Sequence, residues 1–96
     1  SSRELKENIR DLSTDDAVSV LNELEPVRYN YKASKEEEQV GFIAEDVPDL
    51  VATKDRKGMS AMDVVAVLTK VVQEQQNAIA KLEQKINELE KKKQDK

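Results

Sequence analysis

Residues 59–93 read MSAMDVVAVLTKVVQEQQNAIAKLEQKINELEKKK, and this stretch decides the architecture of the chain. It contains neither proline nor glycine, and it begins with Ser60 and Asp63 in the spacing of a helix capping box. Apolar residues then recur in alternating steps of three and four, which is typical of a heptad repeat. The a positions are Val65, Val72, Ile79 and Ile86, and the d positions are Leu68, Gln75, Leu82 and Leu89.

This pattern predicts a helix of roughly 33 residues and about 50 Å, at 1.5 Å per residue. The preceding residues are too few to cover so long an apolar stripe, so we expect it to face other copies of the chain. A strict 3.5-residue period indicates a left-handed coiled coil. Lys85 at g and Glu90 at the next e position allow an interchain ion pair between parallel helices, worth about 0.2–1 kcal/mol.

The number of helices is left open by the heptads alone. β-Branched residues at a with leucine at d favour two helices, whereas the polar d residue Gln75 interrupts the apolar seam and could fix the register. We interpret Gln75 as a polar layer, with an ion or water at its centre as the alternative. Two and three helices are equally compatible with this pattern.

The region before the helix has shorter elements. Ser13 is a suitable N-cap, and the spacing of apolar residues predicts a helix over 14–24, which Pro26 ends. Val27, Tyr29 and Tyr31 alternate with polar residues, which predicts a half-buried strand. Residues 1–12 have helical spacing at Leu5, Ile9 and Leu12, although an extended arm fits equally well.

The stretch from 33 to 58 is expected to contain further short elements. We predict a polar loop over 33–39, a strand over 40–44 that pairs with the first, one helical turn over 45–50 and a third strand over 51–53. Residues 55–58 have the chemistry of a turn. We interpret Phe42, Tyr29 and Tyr31 as core residues. The carboxylates Glu45, Asp46 and Asp49 are interpreted as a solvated surface, with acid–base work or cation binding as the alternative.

Composition excludes several classes of function. The chain has 96 residues, a net charge of −4 and no cysteine or histidine. The net negative charge argues against nucleic acid as a partner, for which a basic stripe would be expected, and a disulfide or a zinc site of thiolates and imidazoles is impossible. We therefore expect no cofactor and no metal. Nucleophilic catalysis would have to pair a hydroxyl or carboxylate with lysine or another carboxylate.

Three stretches together resemble one family: SSRELKENI at 1–9, LEPVRYNYK at 24–32 and VGFIAEDVPDL at 40–50. It is the intramolecular chaperone domain of phage tail spikes, tail fibres and endosialidases, also called peptidase S74. The helix containing VVQEQQ (71–76) and continuing as a coiled coil is similar to that family too. The family opens with a pattern close to S-D-x-x-x-K, and this chain has Ser2 in place of the aspartate.

The resemblance implies the C-terminal end of a larger, fibrous protein. Such a domain forms a homotrimer, aligns its upstream passenger for folding and then releases itself with a serine–lysine dyad. By position, the catalytic residues would be Ser1 and Lys6, with Ser1 attacking the preceding carbonyl and a chain that starts at Ser1 as the released product. Burial of Lys6 on trimerisation, or positive charge from Arg3, would favour the neutral amine that accepts the serine proton. The expected location is the cytoplasm of an infected bacterium, with the released domain absent from the virion.

The sequence thus predicts an α+β fold. A small head, residues 1–58, has a short antiparallel sheet and a helix; a coiled-coil helix follows over 59–93 and a frayed tail over 94–96. The resemblance selects a parallel trimer, with no nucleic acid or membrane as partner. The alternative function is an oligomerisation module that does not cleave and stays attached to its fibrous protein.

Overall fold

A computed structural model describes residues 2–94 and shows an α+β chain ending in a long helix. Helix α1 (Thr14–Glu23) precedes a two-stranded antiparallel sheet, and helix α2 (Ala61–Gln94) forms the C-terminal part. Three short 3₁₀ turns cover Arg3–Leu5, Ala44–Asp46 and Asp49–Val51. The predicted fold class is confirmed; the trimeric state and the division into domains stay predictions.

Helix α1 begins where the sequence predicts and ends one residue earlier, at Glu23. The Ser13 hydroxyl accepts a hydrogen bond from the Asp16 backbone N–H at 3.1 Å, so a free donor of the first turn is satisfied. Asp15 and Asp16 lie in that turn, where the helix dipole favours negative charge. Leu24 already has extended backbone angles, and the helix could not continue much further, because Pro26 disfavours helical geometry in Glu25 before it.

The two strands form a hairpin that is longer than predicted. Strand β1 (Val27–Tyr31) pairs antiparallel with β2 (Ser34–Gly41), so pairing of the two strands is confirmed. The predicted loop over 33–39 is wrong, because only Lys32 and Ala33 form the turn. The Asn30 side-chain amide donates to the carbonyls of Lys35 and Glu37, both at 3.0 Å, and holds the bulge in β2. These polar residues pair as a strand while both faces stay in water.

The tyrosines of β1 differ in burial, which corrects one interpretation. Tyr29 is half-buried and its ring lies over Gly41, where a Cβ atom would be 3.2 Å from Tyr29 Cε1. Tyr31 is 58% exposed, so it is not a core residue. The two hydroxyls are 3.0 Å apart, and this hydrogen bond raises the pKa of Tyr29. Phe42 is partly buried against the core, as expected.

The segment between the hairpin and α2 contains turns in place of a third strand. The predicted helical turn at 45–50 is divided into two 3₁₀ turns, and the predicted strand at 51–53 is wrong apart from one bridge between Ala52 and Met59. Arg56 explains this geometry: its guanidinium donates to the Val47 carbonyl at 2.7 Å and pairs with Asp49. The predicted turn is present, since the Thr53 N–H donates to the Gly58 carbonyl at 3.1 Å.

Helix α2 starts at the predicted cap and extends well beyond the head. The Ser60 hydroxyl accepts from the Asp63 N–H at 3.4 Å. The radius of gyration is 20.0 Å, whereas a compact domain of this length would have about 12–13 Å. The residues from Gln75 to Gln94 are all exposed, so this part of α2 extends away from the other described residues.

The core lies between α1, the turn at 49–51 and the first three turns of α2. Its buried residues are one alanine and six valines: Ala17, Val20, Val47, Val51, Val64, Val67 and Val71. The larger side chains that pack against this core are themselves only partly buried, and they are Leu12, Leu21, Leu24 and Phe42. A core of such small side chains buries little apolar surface, so the head gains little stability from its own chain.

Candidate functional site

The N-terminal segment contains the predicted serine–lysine pair. Ser1 lies outside the described residues. Lys6 directly follows the 3₁₀ turn Arg3–Leu5, and its backbone N–H donates to the Arg3 carbonyl at 3.1 Å. The Lys6 side chain is exposed, as is that of Arg3. A single chain thus leaves this lysine amine in contact with water.

Ser2 has a visible structural role in the same segment. Its hydroxyl accepts a hydrogen bond from the Glu4 N–H at 3.1 Å, so it caps the turn that precedes Lys6. Aspartate and serine are both good capping residues, because each places an oxygen acceptor near the free N–H groups. Serine in place of the aspartate of the family pattern therefore keeps a cap at this position without the negative charge of a carboxylate.

Residues 7–12 form an extended arm rather than a helix. Asn8 has a φ of 54°, which interrupts any helical run, and Arg10 Nη1 donates to the Asn8 carbonyl at 3.2 Å. Leu12 packs against the core, whereas Ile9 is exposed. Of the two alternatives for this segment, helix or extended arm, the structure shows the arm. Its apolar residue Ile9 is exposed close to Lys6 in the sequence.

The second candidate site is the seam of α2, which we define as the eight predicted a and d positions. All seven apolar members are between 41% and 64% exposed, and Gln75 is exposed as well. They are Val65, Leu68, Val72, Ile79, Leu82, Ile86 and Leu89. Isolated exposed apolar residues are normal on a protein surface, but a continuous stripe of this length marks an interaction surface.

A second apolar stripe of α2 packs on the head. Val64, Val67 and Val71 are buried against α1 and the turn Asp49–Val51. At 100° per residue this head-facing stripe and the seam lie roughly 100° apart around the helix. The heptad pattern alone does not predict this stripe, although a signal exists: pairs of valine or leucine occur at 64–65, 67–68 and 71–72, whereas isoleucine and leucine occur singly from Ile79 onwards.

The acidic residues at 45–49 have no arrangement that suggests chemistry. Asp49 is paired with Arg56, whose guanidinium also donates to backbone carbonyls. Within residues 2–94, no three His, Cys, Asp or Glu side chains are grouped so that they could hold a metal ion. Across the same described range, no helix combines the length and the apolar character needed to cross a bilayer.

Comparison with known proteins gives one match. A family model described as a chaperone of endosialidase, peptidase S74, matches residues 1–55, which is more than half of the chain. No curated protein and no solved structure matches. The match covers residues 1–55 of the head, includes both positions of the predicted dyad and ends before α2.

Proposed function

Because the chain belongs to the peptidase S74 family of endosialidase chaperones, we propose that it assembles as a parallel homotrimer through the seam of α2 and then cuts itself from an upstream passenger. The observation that supports this most is the exposed seam, which continues beyond the last residue that packs on the head. Burying the remaining half of each apolar seam side chain is worth roughly 1 kcal/mol. Over seven residues per chain, this favours association strongly.

Trimerisation would help a fibrous passenger to fold. Interleaved β structures depend on contacts between distant residues and different chains, so they form slowly and expose strand edges meanwhile. Joining three chains at one end makes their meeting intramolecular and raises their effective concentration. The seam would also set a common register from which the passenger can fold.

The proposed release is an acyl transfer to Ser1. Neutral Lys6 takes the hydroxyl proton, and Oγ attacks the carbonyl carbon of the preceding residue. The C–N bond breaks, the Ser1 amine leaves with a proton and an ester forms. Water then hydrolyses the ester, which frees the passenger carboxylate and regenerates the hydroxyl. Each chain would do this once.

Exposure of Lys6 in a single chain supports a link between cleavage and assembly. An ammonium group in water stays charged and cannot accept the serine proton, whereas desolvation favours the neutral amine. Contact with neighbouring copies would cover the arm and the exposed apolar residues beside it. Cleavage would thus follow correct assembly, in the cytoplasm of an infected bacterium, and the released domain would be absent from the virion.

The test is expression of this chain behind its native upstream segment. We expect a break directly before Ser1, detected by fragment mass, and an intact trimer when Ser1→Ala or Lys6→Ala is introduced. Lys35→Ala in the exposed hairpin is the matched control and should cleave normally. Normal release from Lys6→Ala would refute the role of the lysine.

A second candidate is an oligomerisation module that never cleaves. The loss of the acidic residue at position 2 favours it, because the family pattern has a carboxylate there and this chain has the Ser2 hydroxyl. In that case the unmodified fusion stays at full length and still sediments as a trimer.

A further inference from the structure

The head occupies only one flank of α2. In heptad terms Val64 and Val71 are g positions, and both are buried beneath the head together with the c residue Val67. The e positions Met62 and Thr69 lie across the seam from them. Met62 is 72% exposed, and beside it lies a shallow, mainly apolar recess lined by Val65, Leu68, Thr69, Val72 and Gln73. The chain's own head contributes nothing to this recess.

Parallel coiled coils bring the two flanks together. The g flank of one helix faces the e flank of the next, so a head that covers g must lie beside the e flank of the adjacent copy. Packed helices are about 8–10 Å apart. With α1 on the g flank, its axis would then be about one helix diameter, roughly 10–12 Å, from the neighbouring α2.

Helix α1 also has an apolar residue, Val18, on the side that faces the seam of α2. Asp16 and Leu50 line one groove, and Leu50 lines a second groove with Asp63 and Ala66, on the outward side of α2. The Asp16 flank of α1 therefore points away from the seam. Val18, two residues later, lies about 200° further around α1. It is on the seam side and remains 36% exposed.

We propose that each head docks on the neighbouring copy, with Val18 of one chain against the e flank formed by Met62 and Thr69 of the next. This inference rests on the proposed parallel assembly. The sequence of e positions agrees with it: Met62, Thr69 and Gln76 are uncharged at and just beyond the level of the head, whereas Glu83 and Glu90 farther along are charged. The small valine core would then be completed only between copies.

Cysteine pairs test the contact directly, because the chain has no native cysteine. In the double variant Val18→Cys with Thr69→Cys, mild oxidation should give covalent species of two and three chain masses on a non-reducing gel. Within one chain the two positions are on opposite sides of α2 and cannot be joined. The control pair Val18→Cys with Lys70→Cys moves the second cysteine to the outward f position and should stay unlinked.

The outcomes separate this inference from the proposed function. A trimer in sedimentation without interchain linkage overturns the head contact and leaves the coiled coil intact. A monomeric unmodified chain overturns both. Independently, Val18→Lys should lower the thermal midpoint of the assembly by about 5 °C, whereas Ser19→Lys on the exposed face of α1 should not. Equal midpoints for the two variants would also overturn the contact.

Discussion

The upper and lower halves of α2 differ in how many apolar faces they have. Between Ala61 and Glu74 the helix carries both the head-facing stripe and the seam, so neighbouring valines such as Val64 and Val65 point in different directions. The lower half, from Gln75 to Gln94, carries only the seam, and every one of its residues is exposed in a single chain. The same helix thus completes the fold of its own chain and leaves a continuous apolar surface exposed.

The shared helix couples the position of the head to the register of the seam. Because the two stripes share three turns of one helix, the head cannot slide or rotate on α2 without moving buried valines into water. The position of the head relative to the seam is therefore fixed before chains meet. In the proposed parallel assembly, alignment of the seams would therefore align the heads and the arms that precede them as well. An isolated coiled coil joined by a flexible linker would not have this property.

The largest effect should come from a charge in the lower half. Leu82→Asp places three carboxylates in one seam layer, where each loses hydration without gaining a partner. We expect a penalty of roughly 3–5 kcal/mol or more per assembly and a monomer in sedimentation at micromolar concentration. Lys81→Asp, at an outward c position, is the control and should remain a trimer. A trimeric Leu82→Asp variant would show that the seam is not the interface.

A smaller effect is expected from truncation in the upper half. Val67 is 1% exposed, and Val67→Ala removes two carbon atoms from the head core. We expect the free energy of unfolding to fall by about 2 kcal/mol per chain, measured by urea denaturation, while the trimer still forms. Asn77→Ala, on the exposed face of the lower half, should change it by less than about 0.5 kcal/mol. Similar losses for both variants would contradict the division into two halves.

The sequence predicted those elements whose signals are local. Ser13 and Ser60 mark helix starts by their own hydrogen bonds, and the seam repeats often enough to be recognised without coordinates. The sequence predicts the start of strand β2 six residues too late. The first residues of the strand are polar and exposed, and they are held by backbone pairing and by the Asn30 side chain, which leaves no apolar pattern to recognise. The prediction of a third strand at 51–53 is wrong for a non-local reason, since Arg56 binds the Val47 carbonyl nine residues earlier and holds the chain in a turn. The geometry of the dyad depends on Ser1 and on other copies, so neither the sequence nor one chain determines it.

The smallest effect is expected at the turn over residues 53–58, which directly precedes the cap of α2. Asp55 accepts hydrogen bonds from the Thr53 hydroxyl at 2.7 Å and the Lys57 N–H at 3.0 Å, and these bonds lower its pKa below the ordinary 3.8. A lowered folded-state pKa means that the carboxylate stabilises the fold above the unfolded-state pKa, and that this stabilisation is lost as pH falls through the folded-state pKa.

We expect Asp55→Asn to lower the thermal midpoint slightly at pH 7. The difference should shrink below pH 3.8 and vanish once Asp55 is protonated in the folded chain. Because Asp55 is exposed, solvent screening keeps the effect small. A midpoint difference that stays constant from pH 7 to pH 2 would mean that the turn depends on the shape of residue 55 and not on its charge.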